Sequence, residues 1–220
     1  RDMDGDRDRD AVIVNKGSGN AVWVNDGSGT FTDSGQSLGK RGSRGLALGD
    51  VDGDGDPDAV VANAAFTRGR HEKAGNTVWI NDGHGRLAKE QAMGSDNSFG
   101  LALGDVDGDG DPDVVVANFQ SCNAVWSNDG GGGFEKTQSM GSAKSFGVAL
   151  ADVDGDTDLD AVVANGSGQA NTIWINDGSG AFNDSSQLLG DADTTSVALG
   201  DLDGDGDVDA VFGNDGSRNA

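Results

Sequence analysis

A nine-residue acidic pattern, Asp-x-Asp-Gly-Asp-x-Asp-x-Asp, begins at Asp2, Asp50, Asp105, Asp152 and Asp201. The spacing between successive copies is 48, 55, 47 and 49 residues. A fixed period of this length is the signature of a stacked repeat, in which one small unit cannot bury its own apolar face and relies on its neighbours. The chain is therefore expected to be an array of similar units.

The third full copy displays the unit clearly. Phe99-Gly100-Leu101-Ala102-Leu103-Gly104 leads into the acidic loop and Val114-Val115-Val116-Ala117-Asn118 leaves it. Asn123-Ala124-Val125-Trp126-Ser127 follows, then a Gly-rich turn, then Phe134-Glu135-Lys136-Thr137-Gln138. Each run is short, β-branched or alternating, and bounded by Gly, Asn or Asp, which is a strand signature. Asn-Asp-Gly closes the Trp strand at Asn25, Asn81, Asn128 and Asn176, supplying the positive φ of a tight hairpin. Four antiparallel strands in about 50 residues make one propeller blade. The predicted fold is all-β: a β-propeller of four-stranded blades over residues 1–220, with four complete repeats and a partial one. Because the first and last copies break off at equivalent points, the chain reads as a single propeller closed by pairing its ends, or as a section of a larger propeller or array.

Composition agrees with this reading and narrows the functions. Gly 38 beside 8 Phe, 4 Trp and no Tyr argues against a thick helical interior. Net charge is -23, which repels nucleic acid and anionic membrane. The five nonamers hold 25 of the 38 acidic residues, so the charge is concentrated where cations would neutralise it. Cys122 is the single cysteine, excluding an intrachain disulfide and a Cys-based zinc site. No apolar run is long enough for a membrane-spanning helix, so membrane insertion is not expected.

Calcium takes about 6–8 hard oxygen ligands, and a short loop of alternating carboxylates supplies them. The expected side-chain ligands are positions 1, 3, 5 and 9: Asp2, Asp4, Asp6 and Asp10; Asp50, Asp52, Asp54 and Asp58; Asp105, Asp107, Asp109 and Asp113; Asp152, Asp154, Asp156 and Asp160; Asp201, Asp203, Asp205 and Asp209. Backbone carbonyls of Asp8, Asp56, Asp111, Asp158 and Asp207 complete the sets, giving four to five calcium ions. Without an ion, carboxylates this dense repel one another. The loops contain no His or Cys, which disfavours zinc and copper. Arg7 and Thr157 replace Gly at position 6 of two loops, and Arg7 and Arg9 put positive charge beside the first.

The recurring Phe-Gly-x-x-x-x-Gly-Asp-x-Asp-Gly-Asp-Gly-x-x-Asp, clearest from Phe99 to Asp113, resembles the FG-GAP repeat of integrin-type propellers and the related VCBS repeats. The resemblance implies a blade whose calcium loop joins its first two strands. It also implies roles among adhesion proteins, lectin-like modules and domains attached to enzymes. Phe-Gly becomes Arg44-Gly45 in one copy and Thr195-Ser196 in another.

Trp23, Trp79, Trp126 and Trp174 share one repeat position and are expected between blades rather than on sugars. Gly35-Gln36-Ser37-Leu38-Gly39 matches a hydrolase elbow, but Gln-x-Leu/Met-Gly recurs at Gln91, Gln138 and Gln187 with Ala92, Ser139 and Leu188 in the Ser37 place, and no strand-to-helix context surrounds it. No catalytic acid/base pair stands out, and no enzyme is predicted. The connection from Asn63 to Asn76 spans 13 residues where Asn15 to Asn20 spans 5, and it carries Arg68, Arg70, His71 and Lys73. This surface loop is the candidate recognition element for an acidic glycan or protein. The sequence thus reads as an extracellular or cell-surface binding and adhesion module. The alternatives are a self-assembling structural repeat of a larger surface protein or filament, or a non-catalytic accessory domain of a polysaccharide-degrading enzyme.

Overall fold

A computed structural model of the protein describes residues 1–39, 42–67, 70–72 and 75–216, with backbone alone for 65–67 and 70–72. Among these residues the regular structure is entirely β-strand, as the repeat predicts. Blade 1 comprises β1 (Ala11–Ile13), β2 (Ala21–Asn25) and β3 (Phe31–Ser37), in that order. Blade 2 comprises β4 (Ser43–Gly49), β5 (Asp58–Asn63), β8 (Asn76–Asn81) and β9 (Leu87–Met93). Blade 3 comprises β10 (Ser98–Gly104), β11 (Asp113–Asn118), β12 (Asn123–Asn128) and β13 (Phe134–Met140). Blade 4 comprises β14 (Ser145–Ala151), β15 (Asp160–Asn165), β16 (Asn171–Asn176) and β17 (Phe182–Leu189), and blade 5 pairs β18 (Thr194–Gly200) with β19 (Asp209–Asn214). The acidic nonamers join the first and second strands of blades 2 to 5.

Burial follows the sequence pattern strand by strand. The apolar second strands β5, β11 and β15 are buried at all six positions, as a continuous Val-rich run should be. The fourth strands β9 and β13 bury only their ends and expose Lys89, Glu90, Glu135 and Lys136. Charged side chains on an edge strand discourage pairing with another chain.

The chain forms two compact units, Arg1–Ser98 with Asn128–Phe134, and Phe99–Ser127 with Glu135–Ala220. In the first, Met3, Val22 and Leu38 of blade 1 pack with Ala59, Val61, Trp79 and Leu87 of blade 2. In the second, Val106, Val125 and Met140 of blade 3 pack with Ala161 and Phe182 of blade 4, with Trp174 against them. Trp79 is thus core, and its indole N–H donates to Thr77 Oγ1 at 2.9 Å. Trp79 and Trp174 are thus seam residues, as expected for two of the four.

A glutamine from each of blades 1, 2 and 3 clamps the turn of the following blade. Gln91 Nε2 donates to the Phe134 carbonyl at 2.7 Å while its Oε1 accepts the Phe134 N–H at 2.8 Å. Gln138 does the same to Phe182 at 2.6 and 2.8 Å, and Gln36 bonds Gly85 O and Leu87 N. The Gln-x-Leu/Met-Gly recurrence is therefore an inter-blade fastener, and Ser37 sits at a strand end with no elbow around it.

The inserted connection folds further than a plain loop: β6 (Ala65–Thr67) pairs with β7 (Arg70–Glu72) as a separate hairpin. It is grafted onto a bond common to the repeats. The N–H of Asn63 donates to Asn76 Oδ1 at 3.0 Å, as Asn118 does to Asn123 and Asn165 to Asn171, both at 2.8 Å. Blade closure at this point is thus independent of insertion length.

Candidate metal centres

The acidic loops are held by their own carboxylates. In the second loop, Asp50 accepts the N–H of Gly53 at 2.8 Å and of Gly55 at 2.9 Å. Asp58, fully buried at the start of β5, accepts the Val51 N–H at 2.8 Å and the Asn81 N–H at 2.8 Å. The loop is thereby tied at both ends and to the Trp strand. The bond from position 2 to the position-9 carboxylate recurs in every loop, at Asp10, Asp113, Asp160 and Asp209.

Oxygen atoms within 4.8 Å of one another gather in each loop: Asp2, Asp4 and Asp6; Asp50, Asp52 and Asp58; Asp105, Asp107 and Asp113; Asp152, Asp154 and Asp160; Asp201, Asp203 and Asp209. Four loops thus assemble positions 1, 3 and 9, and the first assembles 1, 3 and 5. Asp54, Asp109, Asp156 and Asp205 lie outside these triads, each accepting the N–H of the position-7 residue at 2.9 to 3.0 Å. Asp10 is outside the first triad. The position-7 side chain is taken up elsewhere, because a Cβ on Gly83 would lie 2.3 Å from Asp56 Oδ2, with Gly27 against Asp8 and Gly178 against Asp158 in the same relation. The glycine of Asn-Asp-Gly thus makes room for the acidic loop as well as the turn, a role its turn chemistry alone did not signal.

The donor set is all oxygen, and this hard, carboxylate-rich character fits calcium, with no soft ligand to favour zinc or copper. Electrostatics point the same way. Burial pushes the Asp58 carboxyl up to about 6, helped by the charges of Asp52 and Asp54 and opposed by the two backbone N–H bonds. Asp4, Asp52 and Asp154 are also raised, again chiefly by desolvation and with neighbouring aspartates adding repulsion. A bound cation relieves both costs.

Neighbouring loops are linked through one side chain. Asn81 Nδ2 donates to Met3 O in the first loop at 2.9 Å and to Pro57 O in the second at 3.2 Å. Asn176 Nδ2 joins the third and fourth in the same way, to Val106 O at 2.7 Å and Leu159 O at 3.2 Å. Sequence reading gave these asparagines only a turn role, since their partners lie far off in the chain.

The remaining candidates are placed less centrally. Arg70 and His71 belong to β7, while Arg68 and Lys73 lie outside the described residues. Asn165-Gly166-Ser167 and Asn183-Asp184-Ser185 match the Asn-x-Ser glycosylation pattern; Asn165 is buried with Nδ2 bonded to Ala170 O at 2.9 Å, and Asn183 is exposed.

Residues 2–61, 64–116, 105–163 and 152–212 match the FG-GAP-like repeat, and residues 44–80 match the FG-GAP repeat. The chain belongs to the FG-GAP-like repeat family. Among solved structures it is similar to a chain of the Photorhabdus luminescens Tc holotoxin pore, with 18% identity and a TM-score of 0.34. That match covers 96% of this chain and 13% of the other. In FG-GAP terms, the Phe of Phe-Gly sits at a β-bulge, the pairing shifting between Ser145 and Gly147. The same shift occurs at Ser43/Gly45 and Thr194/Ser196, so the copies with Arg44 and Thr195 keep the bulge. The Gly of the motif is a close approach: a Cβ on Gly100 would lie 2.8 Å from Phe146 O and 2.9 Å from Gly147 Cα in the next inner strand.

Proposed function

We propose that the protein is a calcium-dependent, non-catalytic binding module that works outside the cell, presenting a rigid bladed surface to a glycan or protein partner. The observation that carries the reading is the recurrence of a converging, oxygen-only carboxylate triad at one repeat position in all five loops. Calcium would bind through positions 1, 3 and 9 in loops two to five and through positions 1, 3 and 5 in the first, and its binding free energy would be folding free energy. The basic hairpin carrying Arg70 and His71, flanked in sequence by Arg68 and Lys73, gives an acidic partner a local attraction that falls as salt rises. Membership of the FG-GAP-like repeat family supports an extracellular or surface setting and a non-catalytic role.

The test is thermal unfolding of the full chain in excess calcium and in excess chelator, with calorimetric titration for stoichiometry. A raised midpoint and four to five ions per chain are expected. An unchanged midpoint overturns the reading.

A further inference from the structure

One strand position breaks the repeat. Val24, Ile80 and Ile175 stand immediately before Asn-Asp-Gly in their blades, whereas blade 3 has Ser127. The consequence is local and visible. In the first unit, Ile80 Cδ1 lies 3.0 Å from where a Cβ on Gly132 would be, so the apolar side chain fills the seam over that turn. At the matching Gly180 the nearest atoms are instead Asp107 Cβ at 3.3 Å and Val106 Cγ2 at 3.7 Å, and at Gly85, over Val24, Asp4 Cβ at 3.0 Å, so of these residues only the isoleucine reaches the turn. Ser127 does not fill the space and turns its hydroxyl to Asp107 Oδ2 at 3.1 Å. A pocket of about 240 Å³ opens there, within the second unit, between blade 3 and the Asn176–Gly180 turn of blade 4.

Its walls have two characters. Val106, Val125 and Ala181 line its apolar side, Ala181 the most exposed of them, while Ser127, Thr137, Ser179 and Asp107 bring three hydroxyls and a carboxylate to the same space. The geometry points to a small polyhydroxylated ligand, a single sugar ring, bound in this pocket. A pyranose has an apolar C–H face and a hydroxyl edge, which matches such a division. The volume lies below the roughly 300–1,000 Å³ typical of drug-sized sites, so one ring is the appropriate size. Asp107 belongs to the third loop's triad, so a cation there offsets its charge and removes any preference for a cationic ligand. Its oxygen still accepts a hydroxyl hydrogen bond. The inference rests on the proposed calcium-dependent scaffold and gives its glycan-binding option a location.

The experiment is titration of the calcium-loaded full chain with free neutral hexoses, followed by amide NMR shifts, on the parent and on Ser127→Ile and Ser127→Ala. Affinity in about the millimolar range is expected, as for a ligand of few atoms, with shifts centred on Ser127, Ser179 and Gly180. Ser127→Ile, which restores the side chain of the blade 2 seam, should weaken binding at least about tenfold. Ser127→Ala, which keeps the space but not the hydroxyl, should weaken it less. The calcium-induced rise in melting midpoint is read on the same samples and should persist in both variants, since each keeps all five carboxylate triads. A parent stabilised by calcium but unresponsive to every hexose at about 50 mM overturns the pocket and leaves the scaffold standing. Equal affinity in Ser127→Ile also overturns the pocket, whereas a parent that calcium does not stabilise overturns the scaffold reading itself.

Discussion

Thr157 and Arg7 sit at position 6 of their loops with φ of 81° and 78°, in the region where Gly55, Gly110 and Gly206 sit at 94°, 97° and 95°. The loop geometry is thus kept where the sequence departs from glycine, because the N–H there must still reach the position-1 carboxylate: Thr157 to Asp152 at 3.0 Å and Arg7 to Asp2 at 2.8 Å. A β-branched residue in this conformation costs about 1–2 kcal/mol. Thr157→Gly should therefore stabilise the protein by about 1 kcal/mol, a rise of about 2–4 °C in melting midpoint for a chain of this size. No rise would show that Thr157 is not strained. The Asp58 carboxyl makes a second prediction, for metal-free protein. Its folded value of about 6 exceeds the ordinary 3.8, so the folded state holds the proton more tightly than the unfolded chain does. Its contribution to stability therefore grows as pH falls through 6 and is complete below 3.8. Asp4, Asp52 and Asp154 shift in the same direction. In chelator the midpoint should rise between pH 7 and pH 5. With calcium present it should fall over the same range, as protons compete for the ligand oxygens. Midpoints moving together in both conditions would contradict the assignment.

Among the elements, the Asn-Asp-Gly turns do more than reverse the chain. Asn176 holds a carbonyl from each of two acidic loops, and truncating it strands the buried Val106 acceptor and the part-buried Leu159 acceptor. Asn176→Ala should cost about 1–3 kcal/mol and lower calcium affinity at the third and fourth loops together. Calcium titration resolves this, and loss confined to the fourth loop would remove the link. The contrast between what was readable and what was not is physical. The Val-rich second strands, the alternating edge strands and the carboxylate nonamers are local patterns, and the folded blades match them. The Asn81, Gln91 and Gln138 bonds are not local, joining residues 78, 43 and 44 positions apart. A period in the sequence states that units stack, but not which side chain crosses the seam. The choice of ligand oxygens shows the same limit. The nonamer offers five carboxylates in equivalent spacing, and its pattern does not say that Asp58 gathers with Asp50 and Asp52 while in the first loop Asp6, not Asp10, gathers with Asp2 and Asp4. The basic connection was legible as an insertion, yet its β6–β7 pairing was not, since Arg70-His71-Glu72 carries no strand pattern.

At the scale of the whole molecule, the dominant physical fact is a charge of -23 on 220 residues, most of it confined to five short loops. The loop fold brings carboxylate oxygens within 4.8 Å inside each loop, so the repulsion is local and is only partly relieved by spreading charge over a surface. Backbone N–H groups from the position-2, position-4 and position-6 residues offset some of it, as in the second loop at Val51, Gly53 and Gly55. The remainder is left for cations. Five divalent ions would bring ten positive charges and leave the chain at about -13. Simple salt screens the same repulsion less effectively, because its Debye length is about 10 Å at 0.1 M and about 3 Å at 1 M, comparable with the spacing of the carboxylates only at the upper limit. Two consequences separate the effects. In chelator, the melting midpoint should climb steadily as sodium chloride is raised from 0.05 to about 1 M. In saturating calcium the dependence should be much flatter, since the closest repulsions are already cancelled by ions held in the loops. Parallel salt slopes in the two conditions would show that the loops do not hold the ions, and that the acidic repeats are solvated charge rather than metal centres.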